Sequence, residues 1–509
     1  MTKTDPSGLK KGDTIQIKVA SVALGGDGVS KDRGLPIFVA YSAPQDTIEV
    51  ELFDVRKHFA RAKILRVLEP SPQRTKPPCA LFGVCGGCQL QHLEYSEQLR
   101  TKQSFLEQAC RHIGGLEETV VLPTIPAEND LFYRNKVQFP VRNPKNSNRL
   151  LAGYFKADSH ELVNIKHCPV QPGIIDQIME LVKTLFEESG FQAYDERTHT
   201  GLVRHINVRY SFATKKALLT FVINSTKTQF FSRHSRTIKH KLEMIAKDLM
   251  ASIEDVAGVS VNFNSAEGNK ILGDEFLSIG GEEYIEEILS SKRANAPQRL
   301  SSGVRYRLSP GSFFQINSEQ AAKLFDAVRD AVGDTRPKLL VDAYAGVGAM
   351  ALWLADLAEK VIAVEEHPAA VIDGRYNAEL NNIDNVVFEQ KSTEKALAEL
   401  IKQKVTPDIV LVDPPRKGLS EEVVQALLKL NPEKIIYVSC NPSTLARDLK
   451  LFATDQPADL EKDVQKADCL GYKAKQVQPV DLFPHTHHVE SVTILERRGH
   501  GLINLEEAR

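Results

Sequence analysis

From residue 337 onward the chain settles into one rhythm: short apolar runs of strand length alternate with helix-like segments. The runs are Lys338-Leu-Leu-Val-Asp, Lys360-Val-Ile-Ala-Val-Glu, Asn385-Val-Val-Phe-Glu, Asp408-Ile-Val-Leu-Val-Asp and Lys434-Ile-Ile-Tyr-Val-Ser. Strands of this buried type need helices on both faces, which predicts α/β architecture with a doubly wound parallel sheet. Ligands of such sheets lie beyond the carboxyl ends of the strands. The residues at those ends therefore carry most of the functional information.

The first run leads into Asp342-Ala-Tyr-Ala-Gly-Val-Gly-Ala-Met and then a helix. Gly346 and Gly348 permit positive φ and let the backbone approach a ligand closely. The second run ends in Glu365, 19 residues past Gly346, where a carboxylate can bind both hydroxyls of a ribose. A further acid, Asp413, ends the fourth run. Position 351, where a dinucleotide site has its third glycine, is Ala351. This pattern suits S-adenosylmethionine better than NAD.

Beyond the fourth run lies Asp413-Pro-Pro-Arg-Lys-Gly-Leu, whose two prolines stiffen the loop and remove two backbone donors. The fifth run continues into Val438-Ser-Cys-Asn-Pro442, setting Cys440 at a strand end that faces a ligand crevice. Isolated cysteines on apolar strands are usually core residues. Here the neighbouring Asp-Pro-Pro loop makes a nucleophile the stronger reading. Asp481-Leu-Phe-Pro-His-Thr-His-His-Val-Glu490 follows near the end of the chain. His485, His487 and His488 are too bunched for a tetrahedral metal set on their own.

Upstream the character differs. Residues 11–69 are short alternating strands broken at Gly25, Gly26 and Gly28, which predicts a small β-barrel over 8–69. The proline-dense segment Pro70-Ser-Pro-Gln-Arg-Thr-Lys-Pro-Pro is a linker. Residues 70–310 then form a mixed central domain, with a helix at 91–113, helices at 172–189 and 234–252, and strands at Lys136–Val141, His205–Tyr210, Ala217–Val222 and Val259–Asn264. The catalytic part occupies 311–509.

Of seven cysteines, Cys79, Cys85 and Cys88 cluster, with Cys168 further on. Four thiolates suit zinc or an iron–sulfur cluster, and a single C-x-x-C pair plus two lone cysteines favours the latter. Cys110 and Cys469 read as core residues. At 42% hydrophobic and 26% charged the chain resembles an ordinary soluble protein. The start MTKTDPSGLKKGD lacks an apolar leader core, and the longest apolar stretch, 343–355, is too short to span a membrane. We therefore expect a cytoplasmic protein with no membrane partner. Residues 204–250 carry ten Lys or Arg against two acids, with aromatics interleaved, and 54–76 carry seven against two. Acids gather elsewhere, at Glu282, Glu283, Glu286 and Glu287. Basic stretches with aromatics can track RNA, although charge runs are more often plain solvated faces.

Together Asp413-Pro-Pro-Arg-Lys-Gly, Ser439-Cys-Asn-Pro, His487-His-Val-Glu and the upstream Ser312-Phe-Phe-Gln-Ile-Asn317 resemble the RNA (uracil-5-)methyltransferase family. The resemblance covers nearly the whole chain. It implies that Cys440 is the nucleophile that adds to carbon 6 of a uracil, and that Glu490 is the base that removes the carbon 5 proton. Gln315, Tyr344, Glu365 and Asp413 would contact S-adenosylmethionine or orient the reacting groups. The barrel looks like a TRAM RNA-binding domain. Cys79, Cys85, Cys88 and Cys168 look like the ligands of a [4Fe–4S] cluster with a structural role. The resemblance also implies that the segment 91–123 can pack with the catalytic domain in place of the central one.

The layout is most similar to the 23S ribosomal RNA branch, which makes that RNA the expected partner. Phe313 and Phe314 are stacking candidates for the extruded base, or packing beneath the site. Ala349 and Ser491 depart from residues found in some relatives. Three other readings stay open: the same reaction on a tRNA uridine, an RNA-binding protein with an idle methyltransferase domain, and 5-methylcytosine formation.

Overall fold

The computed structural model describes residues 8–453 and 471–497, apart from 33 and 146. Cys469 and residues 1–7 lie outside the described residues. The catalytic part is built on an eight-stranded sheet. Its spatial order is Val386–Gln390, Lys360–Glu365, Leu339–Asp342, Ile409–Val412, Lys434–Ser439, Glu490–Arg497, Tyr472–Val480 and Val120–Val121. The first five strands are parallel, and Glu490–Arg497 runs antiparallel to both its neighbours.

Strand periodicity explains the two helix layers. Leu340, Val361, Ala363, Leu411, Ile436 and Val438 face one apolar cluster. The alternate residues Val341, Ile362, Val364, Val410, Ile435 and Tyr437 face the other. Strand order reverses between Leu339–Asp342 and Ile409–Val412, so the ligand crevice opens there. Ser392 and Ser420 cap the helices Thr393–Gln403 and Glu421–Leu430 by accepting from Lys395 N and Val423 N.

The strand Val120–Val121 pairs with Tyr472–Val480 at the sheet edge. Helix Tyr95–Ala109 precedes it, and Leu106 joins the catalytic core. The helix expected over 91–113 gives way at Cys110–Gly114 to a π-turn that ends at Gly115 in the left-handed region.

At the N-terminus six strands form one sheet, in the order Thr14–Lys18, Thr47–Val55, Ala60–Glu69, Leu35–Val39, Gly28–Asp32, Ser21–Val22. Ile17, Val39, Ile48, Val50 and Leu52 pack inside it. The central part is a seven-stranded sheet, in the order Leu162–Asn164, Leu151–Phe155, Lys136–Arg142, Val203–Tyr210, Ala217–Ile223, Val256–Phe263, Glu275–Gly281. Helices Gly173–Ser189 and Arg236–Ser252 cover one of its faces.

Here the charge reading of the sequence needs correction. Arg204 and Arg209 are buried; Arg204 donates to the carbonyl of Asn264 (2.9 Å) and Arg209 to that of Ser312. Tyr210, Phe221 and Phe230 belong to the core. Glu287, counted among the separated acids, is buried and accepts from the amides of Phe212 and Ala213. Periodicity placed these side chains on strands, but charge counting ignored that half of every strand faces inward. Among the described residues no helix is long and apolar enough to cross a membrane.

Candidate active site

A cavity of about 280 Å³ lies beside the carboxyl ends of the Leu339–Asp342 and Lys360–Glu365 strands, lined in part by Tyr344, Glu365, Thr393 and Pro415. Gly346 (φ +54°) and Gly348 (φ +78°) turn the chain around it. A Cβ at Gly348 would stand 2.4 Å from Cζ of Phe388, so only glycine fits both the conformation and the space. The Gly346 amide donates to Glu365 Oε2 (3.0 Å) and the His367 amide to Oε1 (2.7 Å). The carboxylate is thereby oriented, with lone pairs to spare for a diol.

Asp342, which the sequence offered only as the start of the glycine motif, is wholly buried behind this loop. Burial lifts its carboxyl to about 7, and the amides of Tyr344 and Ala351 offset this only in part. The signal that could have flagged it is its place as the acid ending the first strand. The cavity is at the small end of ligand pockets. Its acidic wall and switch-point location, with the glycine turn held to Glu365, fit the nucleoside end of S-adenosylmethionine.

Three neighbouring strands bring together the acid, thiol and carboxyl that the sequence singled out. Asp413 follows Ile409–Val412, Cys440 follows Lys434–Ser439, and Glu490 opens Glu490–Arg497. Ser439 pairs with Ser491, so Cys440 and Glu490 share one end of the sheet. Glu490 is 4% exposed, and burial pushes its carboxyl up to about 7 against the pull of Arg416. Burial raises Asp413 well above the usual carboxylate range, with Glu490 and Asp342 adding repulsion. Burial also pushes the Cys440 thiol up to about 12; Glu490 and Asp413 push the same way and Arg416 opposes. A thiol, two carboxyls with raised pKa values and one guanidinium thus act on one another.

Side chains of the two motifs fix the loops. Asn441 Nδ2 donates to the Arg416 carbonyl (3.1 Å), and Thr444 Oγ1 does so at 3.4 Å. Asp448, fully buried, accepts from the Leu419 amide (2.8 Å) and the Tyr437 hydroxyl (2.8 Å). Asp448 and Thr444 were missed from sequence because a helix interior shows no motif.

The Ser312–Asn317 loop is held from both sides. Ser312 Oγ donates to Asp373 Oδ2 (2.5 Å), Asn135 Nδ2 donates to the Gln315 carbonyl (2.9 Å), and Asn317 Nδ2 donates to the Leu482 carbonyl (3.2 Å). Gln315, within this loop, is 8% exposed. The two phenylalanines part company. Phe314 is buried against Tyr306 (centroids 5.4 Å apart), whereas Phe313 is 65% exposed.

Away from this centre, Cys88, Cys168, Cys85 and Cys79 lie near enough to influence one another's ionisation. Burial pushes Cys88 up to about 12 and Cys168 to about 11. Backbone amides are turned toward sulfur: Leu81 N to Cys79 Sγ and Gly87 N to Cys85 Sγ, each 3.4 Å. Among the described residues no three His, Cys, Asp or Glu side chains close around a single metal ion. Cys110 is buried in the catalytic core.

A switch-point cavity with an acidic wall, in the same sheet as a cysteine and two carboxyls on adjacent strand ends, is an arrangement suited to a cofactor-dependent methyltransferase. Comparison with known proteins gives the family. Residues 280–498 match the family profile described as tRNA (Uracil-5-)-methyltransferase. An uncharacterized RNA methyltransferase of Gloeobacter violaceus is 36% identical, covering 97% of this chain and 98% of its own. One from Clostridium tetani is 34% identical over 96% of this chain and 98% of its own. The crystal structure of a Pyrococcus abyssi tRNA (uracil-54, C5)-methyltransferase with S-adenosyl-L-homocysteine is similar at a TM-score of 0.66 and 28% identity, covering 94% of this chain and 99% of that one. The chain belongs to the RNA (uracil-5-)methyltransferase family, and it is an S-adenosylmethionine-dependent enzyme acting on RNA.

Proposed function

We propose that this enzyme methylates carbon 5 of a uridine in 23S ribosomal RNA through a covalent adduct with Cys440. The observation that carries the mechanism is the meeting of Cys440, Glu490 and Asp413 on three adjacent strand ends. When bound, S-adenosylmethionine supplies a methyl group on a sulfonium, and Tyr344, Glu365 and the Gly346–Gly348 turn are the residues that would hold it. The target base leaves its stack to reach the site.

Cys440 loses its proton to solvent, a loss that Arg416 eases, and the thiolate forms a bond to carbon 6. The carbon 5–carbon 6 π pair moves onto carbon 5 and the carbon 4 oxygen. Asp413, whose carboxyl desolvation and the charge of Glu490 raise above its ordinary value, is suited, when protonated, to donate a hydrogen bond to that oxygen. Carbon 5 would then take the methyl group that S-adenosylmethionine supplies, the electron pair of the methyl–sulfur bond staying on sulfur. Glu490 takes the carbon 5 proton, the double bond re-forms and the carbon 6–sulfur bond breaks. A base with a carboxyl near 7 is matched to neutral pH.

Cys79, Cys85, Cys88 and Cys168 would hold a [4Fe–4S] cluster. Such a cluster separates its thiolates by its own bulk, so thiols that share a volume without closing on a single ion are compatible with it. The amides turned toward sulfur support the same reading. Iron and sulfide analysis of anaerobically purified protein tests it. The N-terminal sheet would act as a TRAM-like RNA-binding domain, in the layout 8–69, 70–310 and 311–509, with the 91–123 segment packed on the catalytic part.

The second reading, a tRNA uridine, rests on a specific observation. The Pyrococcus abyssi enzyme whose name gives tRNA uracil-54 covers 94% of this chain, so the N-terminal architecture does not by itself select ribosomal RNA. Labelled methyl transfer to unmodified 23S and tRNA transcripts separates the two. Labelled 5-methyluridine in 23S RNA is expected. Label confined to tRNA overturns the ribosomal assignment.

A further inference from the structure

A second cavity, of about 780 Å³, lies where four parts of the chain meet: the N-terminal sheet, the cysteine loop, the 157–158 turn and the loop before Glu490. His487 reaches it from the catalytic side, three residues before the base. Its Nδ1 is 3.1 Å from Gln89 Oε1. The sheet approaches closely here, since a Cβ at Gly26 would stand 2.8 Å from that of Gln89. The cavity therefore shares with the catalytic part the loop that leads to Glu490, and has its own walls.

Those walls have the chemistry of a nucleobase pocket. Phe53, on the Thr47–Val55 strand, is 46% exposed and Phe38 lines the cavity beside it. An aromatic left in water at a cavity mouth is a ready platform for a splayed base. Arg61 and Lys63 supply cations for the flanking phosphates. The same walls hold two carboxyls from different parts of the chain, Asp27 and Asp158. Burial, and the repulsion of Asp158, raise Asp27, while Arg61 opposes the shift. Tyr41, also in the wall, holds φ at +60°, a conformation rare for a bulky side chain and one that strain tends to preserve at functional positions.

Carboxylates accept hydrogen bonds from exocyclic amino groups, as aspartate does from cytosine N4. Uracil turns a carbonyl oxygen toward the same position, which would set acceptor against acceptor.

We propose that this cavity binds a second unstacked base of the RNA substrate, one with an amino-bearing edge, stacked on Phe53 and read by Asp27 and Asp158. The proposal rests on RNA being the substrate, but neither on which RNA nor on the role of Cys440.

The test is chemical footprinting of unmodified 23S and tRNA transcripts bound to the full chain. Dimethyl sulfate reads adenine and cytosine edges, and kethoxal reads guanine. Wild-type protein is expected to protect one adenine, cytosine or guanine, and Asp27→Asn/Asp158→Asn to expose it again. Phe53→Ala, a surface change that leaves the strand core intact, is expected to raise KM for RNA about tenfold, with a smaller effect on kcat. Identical footprints for wild type and the double variant, or a KM for Phe53→Ala within twofold of wild type, would overturn the proposal. Footprints need no methyl transfer, so a wrong substrate assignment appears in the product analysis and leaves this test standing.

Discussion

Lys102 and Asp481 form an ion pair at 2.5 Å in which both side chains are fully buried. Asp481 also accepts from the Tyr95 hydroxyl (2.9 Å), and Lys102 donates to the Phe483 carbonyl (2.9 Å). Gln98, one turn earlier on the same helix, accepts from the His485 amide (2.9 Å). The helix that follows the cysteine loop thus grips the segment that leads to Glu490. Lys102→Met leaves a buried carboxylate with only the tyrosine as donor, which costs roughly 3–5 kcal/mol. Lys102→Met/Asp481→Leu removes both charges and should return to within about 1 kcal/mol of wild type.

A chain of several domains does not unfold in one step, so the local measure is hydrogen exchange. The amides to follow are those of Asp481 and His485, bonded to the Ile125 carbonyl (3.0 Å) and Gln98 Oε1 (2.9 Å). The single variant should speed their exchange by two to three and a half powers of ten, at about 1.4 kcal/mol per tenfold, and the double variant should largely restore it. Exchange within tenfold of wild type in Lys102→Met, or no recovery in the double variant, would refute the reasoning.

Because Glu490 must be ionised to accept a proton and burial sets it near 7, kcat/KM should rise with pH through about 7. Arg416 favours the charged forms of both Glu490 and Cys440, so Arg416→Gln should move that rise upward by about one pH unit. Gly348→Ala drives a Cβ against Phe388 at positive φ and should weaken S-adenosylhomocysteine binding at least about tenfold by calorimetry, with RNA affinity little changed. Cys88→Ser should lower iron and sulfide content after anaerobic purification, and unchanged content would remove Cys88 from the ligand set.

The catalytic sheet was readable because its parallel strands, buried on both faces, leave near-continuous apolar runs such as Ile409–Val412. Strands on edges or in small sheets left fainter traces. Glu275–Gly281 carries two glycines and Leu162–Asn164 has three residues, so neither presents a strand-length apolar period. Tyr472–Val480 alternates with lysines and glutamines and ends beside a proline, which reads as surface. For the site, strand-end residues such as Asp413, Cys440 and Glu365 were visible because motif and strand boundary coincide. Asp342, Lys102 and Asp448 act through burial, and Arg416 acts through its charge on Cys440 and Glu490; the partners are distant in sequence, Asp481 lying 379 residues from Lys102. The split between Phe313 and Phe314 depends on which of two neighbours turns inward, and local sequence does not encode that.

The claim at the centre of this account is that Cys440 bonds to the RNA and that Glu490 releases it. Glu490→Gln keeps the shape but cannot take the carbon 5 proton, so the adduct should stall after methyl transfer. The direct measurement is denaturing electrophoresis of Glu490→Gln with labelled S-adenosylmethionine and the RNA that the wild type methylates, alongside Cys440→Ala/Glu490→Gln. A labelled protein–RNA band that vanishes with Cys440→Ala is the predicted result. Absence of that band in Glu490→Gln with full turnover retained, or its survival without Cys440, would contradict the mechanism.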